Sequence, residues 1–117
     1  MFKRKYMQFL NDILLSSDKV MILTKDKSFE NFIQDWVCID ATIRNLEIIG
    51  EAAKRLPSEV RKQYSQIEWK KIGGLRDILV HEYFGINYNI LWDIIKNKIP
   101  ELNRQIKKIL ENAKDTQ

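Results

Sequence analysis

The sequence predicts an all-α protein, an up-and-down bundle of four to five helices in a single domain over residues 1–117. Three observations point there. The 117 residues contain only four glycines and two prolines. Strand-like alternation is scarce, while apolar residues recur at helical spacing along most of the chain. The clearest run is Phe29, Phe32, Trp36, Ile39, Ile43, Leu46, Gly50 and Ala53, which alternates steps of three and four. That is the seam of a helix packed along a partner helix.

A first helix is expected over residues 3–23, with Tyr6, Phe9, Leu10, Ile13 and Leu14 on its apolar face. A turn at Lys25-Asp26-Lys27 ends it. Ser28 is the expected N-cap of a second helix carrying the seam, with Glu30 in its first turn and Pro57 as its stop. A helix of about 27 residues is about 40 Å long at 1.5 Å per residue. Ser58 is expected to cap a short helix through Tyr64. A third main helix is expected from about Ile67 to Tyr83, closing near Gly85 as a C′ residue. Asn87 then caps a fourth, from Tyr88 to about Asn112, with Leu91, Ile94, Ile95, Ile99, Leu102, Ile106, Ile109 and Leu110 on its apolar face. Pro100 lies within that pattern and predicts a kink or short break. Residues 113–117 are expected to form a frayed tail.

Composition narrows the function classes. Hydrophobic residues make up 44% and charged residues 31%, a soluble globular balance. The one cysteine, Cys38, excludes an intrachain disulfide. With one histidine, His81, the chain lacks the usual donors for a structural zinc site, so no metal and no cofactor are expected. No apolar run approaches the roughly 20 residues a membrane span needs. The basic start, Met1 to Tyr6, leads into Asn11, Asp12, Ser16, Ser17 and Asp18 rather than a signal-peptide core, so the expected location is cytoplasmic.

The net charge of +4 is concentrated. Residues 54–76 hold Lys54, Arg55, Arg61, Lys62, Lys70, Lys71 and Arg76 against Glu59 and Glu68, while the flanking stretches nearly balance. Such a segment suits a phosphate backbone, or is simply a solvated surface. Beyond it runs Gly73-Gly74-Leu75-Arg76-Asp77-Ile78-Leu79-Val80-His81-Glu82-Tyr83. His81 is the one side chain that ordinarily titrates near neutrality. Asp77 precedes it by four residues, the spacing that lets a carboxylate orient an imidazole on one helix face. Arg76 and Tyr83 are two turns apart and share nearly one face. Arg76 and His81, five apart, diverge by roughly 140° on an ideal helix. They converge if the helix loosens or a second chain supplies its own copy. Gly73-Gly74 allows either close helix packing or room for another backbone beside Arg76.

The Arg76-Asp77-x-x-x-His81-x-Tyr83 pattern resembles the Arg-x4-His motif of HEPN-domain ribonucleases, in the x-Tyr form of the HepT-like toxin family. Leu46 to Leu56, Ile67 to Arg76, His81 to Asn87 and Ile99-Pro100-Glu101-Leu102 resemble family segments in the same order. The resemblance implies a HEPN bundle that dimerises through its motif-bearing helices. It implies a metal-independent endoribonuclease with Arg76 and His81 catalytic, and an MntA-type nucleotidyltransferase antitoxin that places AMP on Tyr83. Asp77 stands where many relatives have Asn, and is expected to support His81. RNA cleavage by its own 2′-hydroxyl needs a base, an acid and a cation, and a homodimer offers two copies of His81. Lys70 and Lys71 are expected to contact RNA, and Tyr64 and Trp69 are candidates for base stacking, with core packing the competing role for Trp69. The competing function is a non-catalytic binding or substrate subunit of a two-component nucleotidyltransferase, with Arg76 and His81 holding a nucleotide. A plain oligomerisation module is a third.

Overall fold

The computed structural model describes residues 2–75, 77, 85 and 87–115, and among them there is no strand. Three long elements form the core. Helix α1 (Phe2–Thr24) lies antiparallel to α3 (Trp36–Arg55) and to α7 (Ile99–Asp115). Leu10, Ile13 and Val20 of α1 are fully buried, as are Leu46 and Ile49 of α3 and Ile106 of α7. Each such side chain is worth about 1.5–3 kcal/mol when removed from water. A polar clamp sets the register of α1 against α7. The buried Asn103 side-chain amide donates to Ser17 Oγ and to Asp18 Oδ1, both at 2.8 Å. Ser17 in turn donates to the carbonyl of Leu14 at 2.8 Å.

Helix α1 ends at the expected turn, where Asp26 takes φ of 62°. Asp is among the residues that tolerate this left-handed geometry. From the opposite side, Lys96 Nζ donates to the terminal Thr24 carbonyl at 3.2 Å and lies 4.6 Å from the Trp92 ring centroid.

The long second helix expected from Phe29 is two helices. Helix α2 (Phe29–Gln34) starts as expected, with Ser28 Oγ accepting from the Asn31 amide. It stops at Asp35, whose φ of −105° and ψ of 84° leave the helical region. The reason is local competition for the backbone. Asp35 Oδ1 accepts from the Cys38 amide at 3.1 Å and so caps α3, while Oδ2 accepts from Lys27 Nζ at 2.8 Å. The expected seam holds in α3 at Ile39, Leu46, Gly50 and Ala53, which are buried. Trp36, at the break, is 71% exposed, and Ile43 is only partly buried. Cys38, Thr42, Ile49 and Ala52 complete the buried face. Helix α2 docks through Phe29 and Phe32, whose rings meet Trp92 at 6.1 and 5.1 Å.

Leu56, in an extended conformation before Pro57, closes α3. Helix α4 (Ser58–Gln63) begins on Pro57 as N-cap, so Ser58 is its first residue rather than its cap. The Pro57 carbonyl starts the helix by accepting from the amides of Val60 and Arg61. The third main helix also starts later than expected. The Tyr64 carbonyl accepts from the Ile67 amide and from the Trp69 indole, which keeps Ile67 in the turn. Helix α5 runs Trp69–Gly73, Gly74 sits in a turn, and Leu75 and Asp77 are again helical. The rest of that expected helix, Arg76 and residues 78–84, lies outside the described residues. Gly85 is exposed and non-helical.

Asn87 Oδ1 accepts from the amides of Asn89 and Ile90 and caps α6 (Tyr88–Asp93) as expected. The break expected at Pro100 is a π-helical turn, Ile94–Lys98, set between α6 and α7. The Ile99 amide reaches back to the Ile94 carbonyl, five residues away. Pro100 has no amide to offer the Lys96 carbonyl in an α-helical ladder, and the wider turn accommodates that loss. Ile95 and Ile99 are both buried in the core.

Candidate functional site

The basic segment is built from helix ends. Lys54 and Arg55 occupy the last turn of α3, Arg61 and Lys62 that of α4, and Lys70 and Lys71 that of α5. Cations there complement the carbonyl ends of the helix dipoles. The positive charge that the sequence offers to a phosphate backbone thus has a structural role as well. All but Arg61 are exposed.

Helix α5 crosses the C-terminal end of α3 and carries the approach to the motif. Lys70 and Lys71 project into solvent. Lys71 Nζ is 2.8 Å from Glu68 Oε2. That hydrogen bond is the main cause of a raised Lys71 pKa and a lowered Glu68 pKa, and Lys98 adds to the effect on Glu68. Trp69, by contrast, is only 7% exposed and its indole is engaged by Tyr64. Its role is core packing, so base stacking by Trp69 is ruled out in this conformation. Tyr64 packs partly buried against the core.

Leu75 is buried and fixes the chain immediately before Arg76. Beside it, an apolar groove of about 520 Å³ runs between α5 and the π turn with α7, floored by Ile72, Leu75, Ile94, Ile99 and Leu102. Glu68, Lys71, Lys98 and Glu101 stand on its rim. A second groove, about 360 Å³, lies between α1 and α3 and is lined by Phe9, Ile48 and the charged Asp12, Arg44, Glu47, Glu51 and Arg55.

Of the four residues expected to carry chemistry, Asp77 is described and exposed, and Arg76, His81 and Tyr83 lie outside the described residues. Asp77 Oδ2 is 3.6 Å from Lys54 Nζ. The Lys54 stem reaches it by passing over the buried Gly73, where an added Cβ would come within 3.1 Å of Lys54 Cγ. Gly73 thus provides close packing, against the Lys54 side chain. Sequence reasoning counted Lys54 only as charge. The one signal pointing to it was the small residue at Gly73. Among the described residues no group of three or more His, Cys, Asp or Glu side chains could hold a metal ion, and no helix is long and apolar enough to cross a membrane.

Residues 13–109 match the family described as HepT-like, "Ribonuclease HepT-like". The chain is 48% identical over 106 residues to "Putative RNase TTE0752" of Caldanaerobacter subterraneus subsp. tengcongensis, covering 91% of this chain and 95% of that protein. It is 43% identical over 110 residues to "Putative RNase MJ0127" of Methanocaldococcus jannaschii, covering 94% and 91%. It is 36% identical over 107 residues to "Probable ribonuclease HepT" of Thermococcus cleftensis, covering 92% and 97%. No solved structure matches the chain.

Proposed function

The chain belongs to the HepT-like ribonuclease family, and from that premise we propose that it is the toxin of a toxin–antitoxin pair, a metal-independent endoribonuclease acting as a homodimer in the cytoplasm. The observation that carries this reading is the family match across residues 13–109, which spans the whole Arg76–Tyr83 motif.

The chemistry comes from the residue types. A base removes the proton of the RNA 2′-hydroxyl. O2′ forms a bond to the adjacent phosphorus, the bond from phosphorus to the 5′-oxygen breaks, and an acid protonates that oxygen. The products are a 2′,3′-cyclic phosphate and a 5′-hydroxyl. One His81 serves as base and the copy from the second chain as acid, since a single chain has one group that titrates near neutrality. Arg76 supplies the cation for the crowded phosphorane, because its planar fork matches two phosphate oxygens. Asp77 orients His81 from one helical turn away. The exposed Lys70 and Lys71 attract the phosphate backbone, a contribution that weakens with salt.

Regulation falls on Tyr83. Its phenolic oxygen attacks the α-phosphorus of ATP on an MntA-type nucleotidyltransferase antitoxin, pyrophosphate leaves, and AMP remains as a phosphodiester. The added negative charge pairs with Arg76 and blocks RNA entry.

The test uses a short RNA cut by the protein in the presence of EDTA. Replacing the nucleotide before the cut by its 2′-deoxy form abolishes cleavage, and the native product carries a 2′,3′-cyclic phosphate. Cleavage of the deoxy-substituted strand, or a requirement for added metal, would refute the mechanism.

A further inference from the structure

We propose that Lys54 is a positioning residue of the candidate site: its ammonium holds the Asp77 carboxylate and keeps that negative charge from opposing RNA phosphate at Arg76. The inference rests on the ribonuclease reading above.

Three observations converge on Lys54. Its Nζ lies 3.6 Å from Asp77 Oδ2, with the two side chains 45% and 60% exposed. The neighbouring base at the end of α3, Arg55, lies against Glu51 instead, 3.4 Å from NH2 to Oε1. Gly73 is buried at the crossing of α3 and α5, and its missing side chain is the space through which the Lys54 stem passes, with Cγ at 3.1 Å and Cε at 3.8 Å from an added Cβ.

The position of Asp77 gives this pair its consequence. It adjoins Arg76 in sequence and precedes His81 by four residues. An uncompensated carboxylate next to Arg76 in sequence would repel an approaching phosphodiester. A cation delivered from α3, a separate helix, offsets that repulsion. The pair is half-exposed, so the effect is modest and sensitive to salt.

The experiment is a double-mutant cycle on the full chain. Its readout is the dissociation constant for a single-stranded 2′-O-methyl RNA oligomer, which cannot be cleaved, so failure of the pair is distinguishable from failure of the ribonuclease chemistry. Lys54→Met weakens binding about threefold at low salt, in keeping with an exposed ion pair. In the Asp77→Asn background the same substitution changes binding by less than about 1.5-fold, because no charge is left to compensate. Lys54→Arg retains wild-type affinity. Gly73→Ala, which displaces the Lys54 stem, shifts binding in the same direction as Lys54→Met. Near 1 M salt, where the screening length is about 3 Å, the differences vanish. Thermal unfolding of each variant accompanies the titrations. An equal loss of affinity from Lys54→Met with and without the Asp77→Asn substitution would overturn the inference. So would absence of RNA binding by the wild-type protein, or a Lys54→Met effect confined to thermal stability.

Discussion

Asp35 ends α2, caps α3 and pairs with Lys27, so its charge bears on three local contacts at once. The hydrogen bond from Lys27 is the main reason its carboxyl titrates below the ordinary range, and the Cys38 amide adds to it. Lys27 is raised in return by the same bond. A depressed carboxyl stabilises the fold fully above its unfolded pKa, about 3.9, and loses that contribution as pH falls through the folded value. Asp35→Ala therefore lowers the thermal midpoint at pH 7, and the gap from wild type narrows below about pH 4. A gap independent of pH would contradict the assignment. The buried clamp at Asn103 is the larger residue-scale term. Asn103→Ala removes both bonds to α1 and leaves a void, costing about 2 kcal/mol in denaturant unfolding. The caps at Ser28 and Asn87 were readable because each stands directly before an apolar helical run. Asp35 was not, because it stands inside an apolar run of helical spacing and its partner Lys27 lies on the far side of α2.

At the scale of elements, the composite hairpin of α6, π turn and α7 shows what proline signals and what it leaves open. Pro100 marked a break because it lacks an amide. The π form could not be read from the pattern, since Ile95 and Ile99, four residues apart, share one face in an ordinary α-helix as well. The late start of α5 has a similar origin in the Tyr64 carbonyl, which engages the Trp69 indole and the Ile67 amide. Lys96 ties the π turn to the end of α1 while stacking on Trp92. Lys96→Met costs about 1 kcal/mol, combining a lost helix-end cation and a lost cation–π contact. A variant as stable as wild type in urea unfolding would show the tie to be incidental.

Across the whole molecule, the all-α architecture was legible from spacing alone, because apolar residues recur at helical spacing along each long helix. The family was legible only through the order of the motif segments, since one histidine and one arginine in isolation specify nothing. The pairing of Lys54 with Asp77 was not legible. The two are far apart in sequence and meet because α5 crosses the end of α3 at a glycine. Regulation provides a whole-molecule prediction. Tyr83→Phe leaves RNA cleavage largely intact and makes the protein insensitive to co-produced nucleotidyltransferase, with no AMP added to its intact mass. Silencing of Tyr83→Phe by the partner and ATP would place the modification elsewhere or make it unnecessary. The central claim is that Arg76 and His81 cut RNA. The measurement that tests it most directly is the rate of RNA cleavage in EDTA by wild type, Arg76→Ala and His81→Ala, each shown to unfold at the same temperature. We predict cleavage by the wild type and a loss of at least about 100-fold in either variant, the scale of a missing acid–base or electrostatic group. A wild-type protein without cleavage, or variants as active as the wild type, would contradict it.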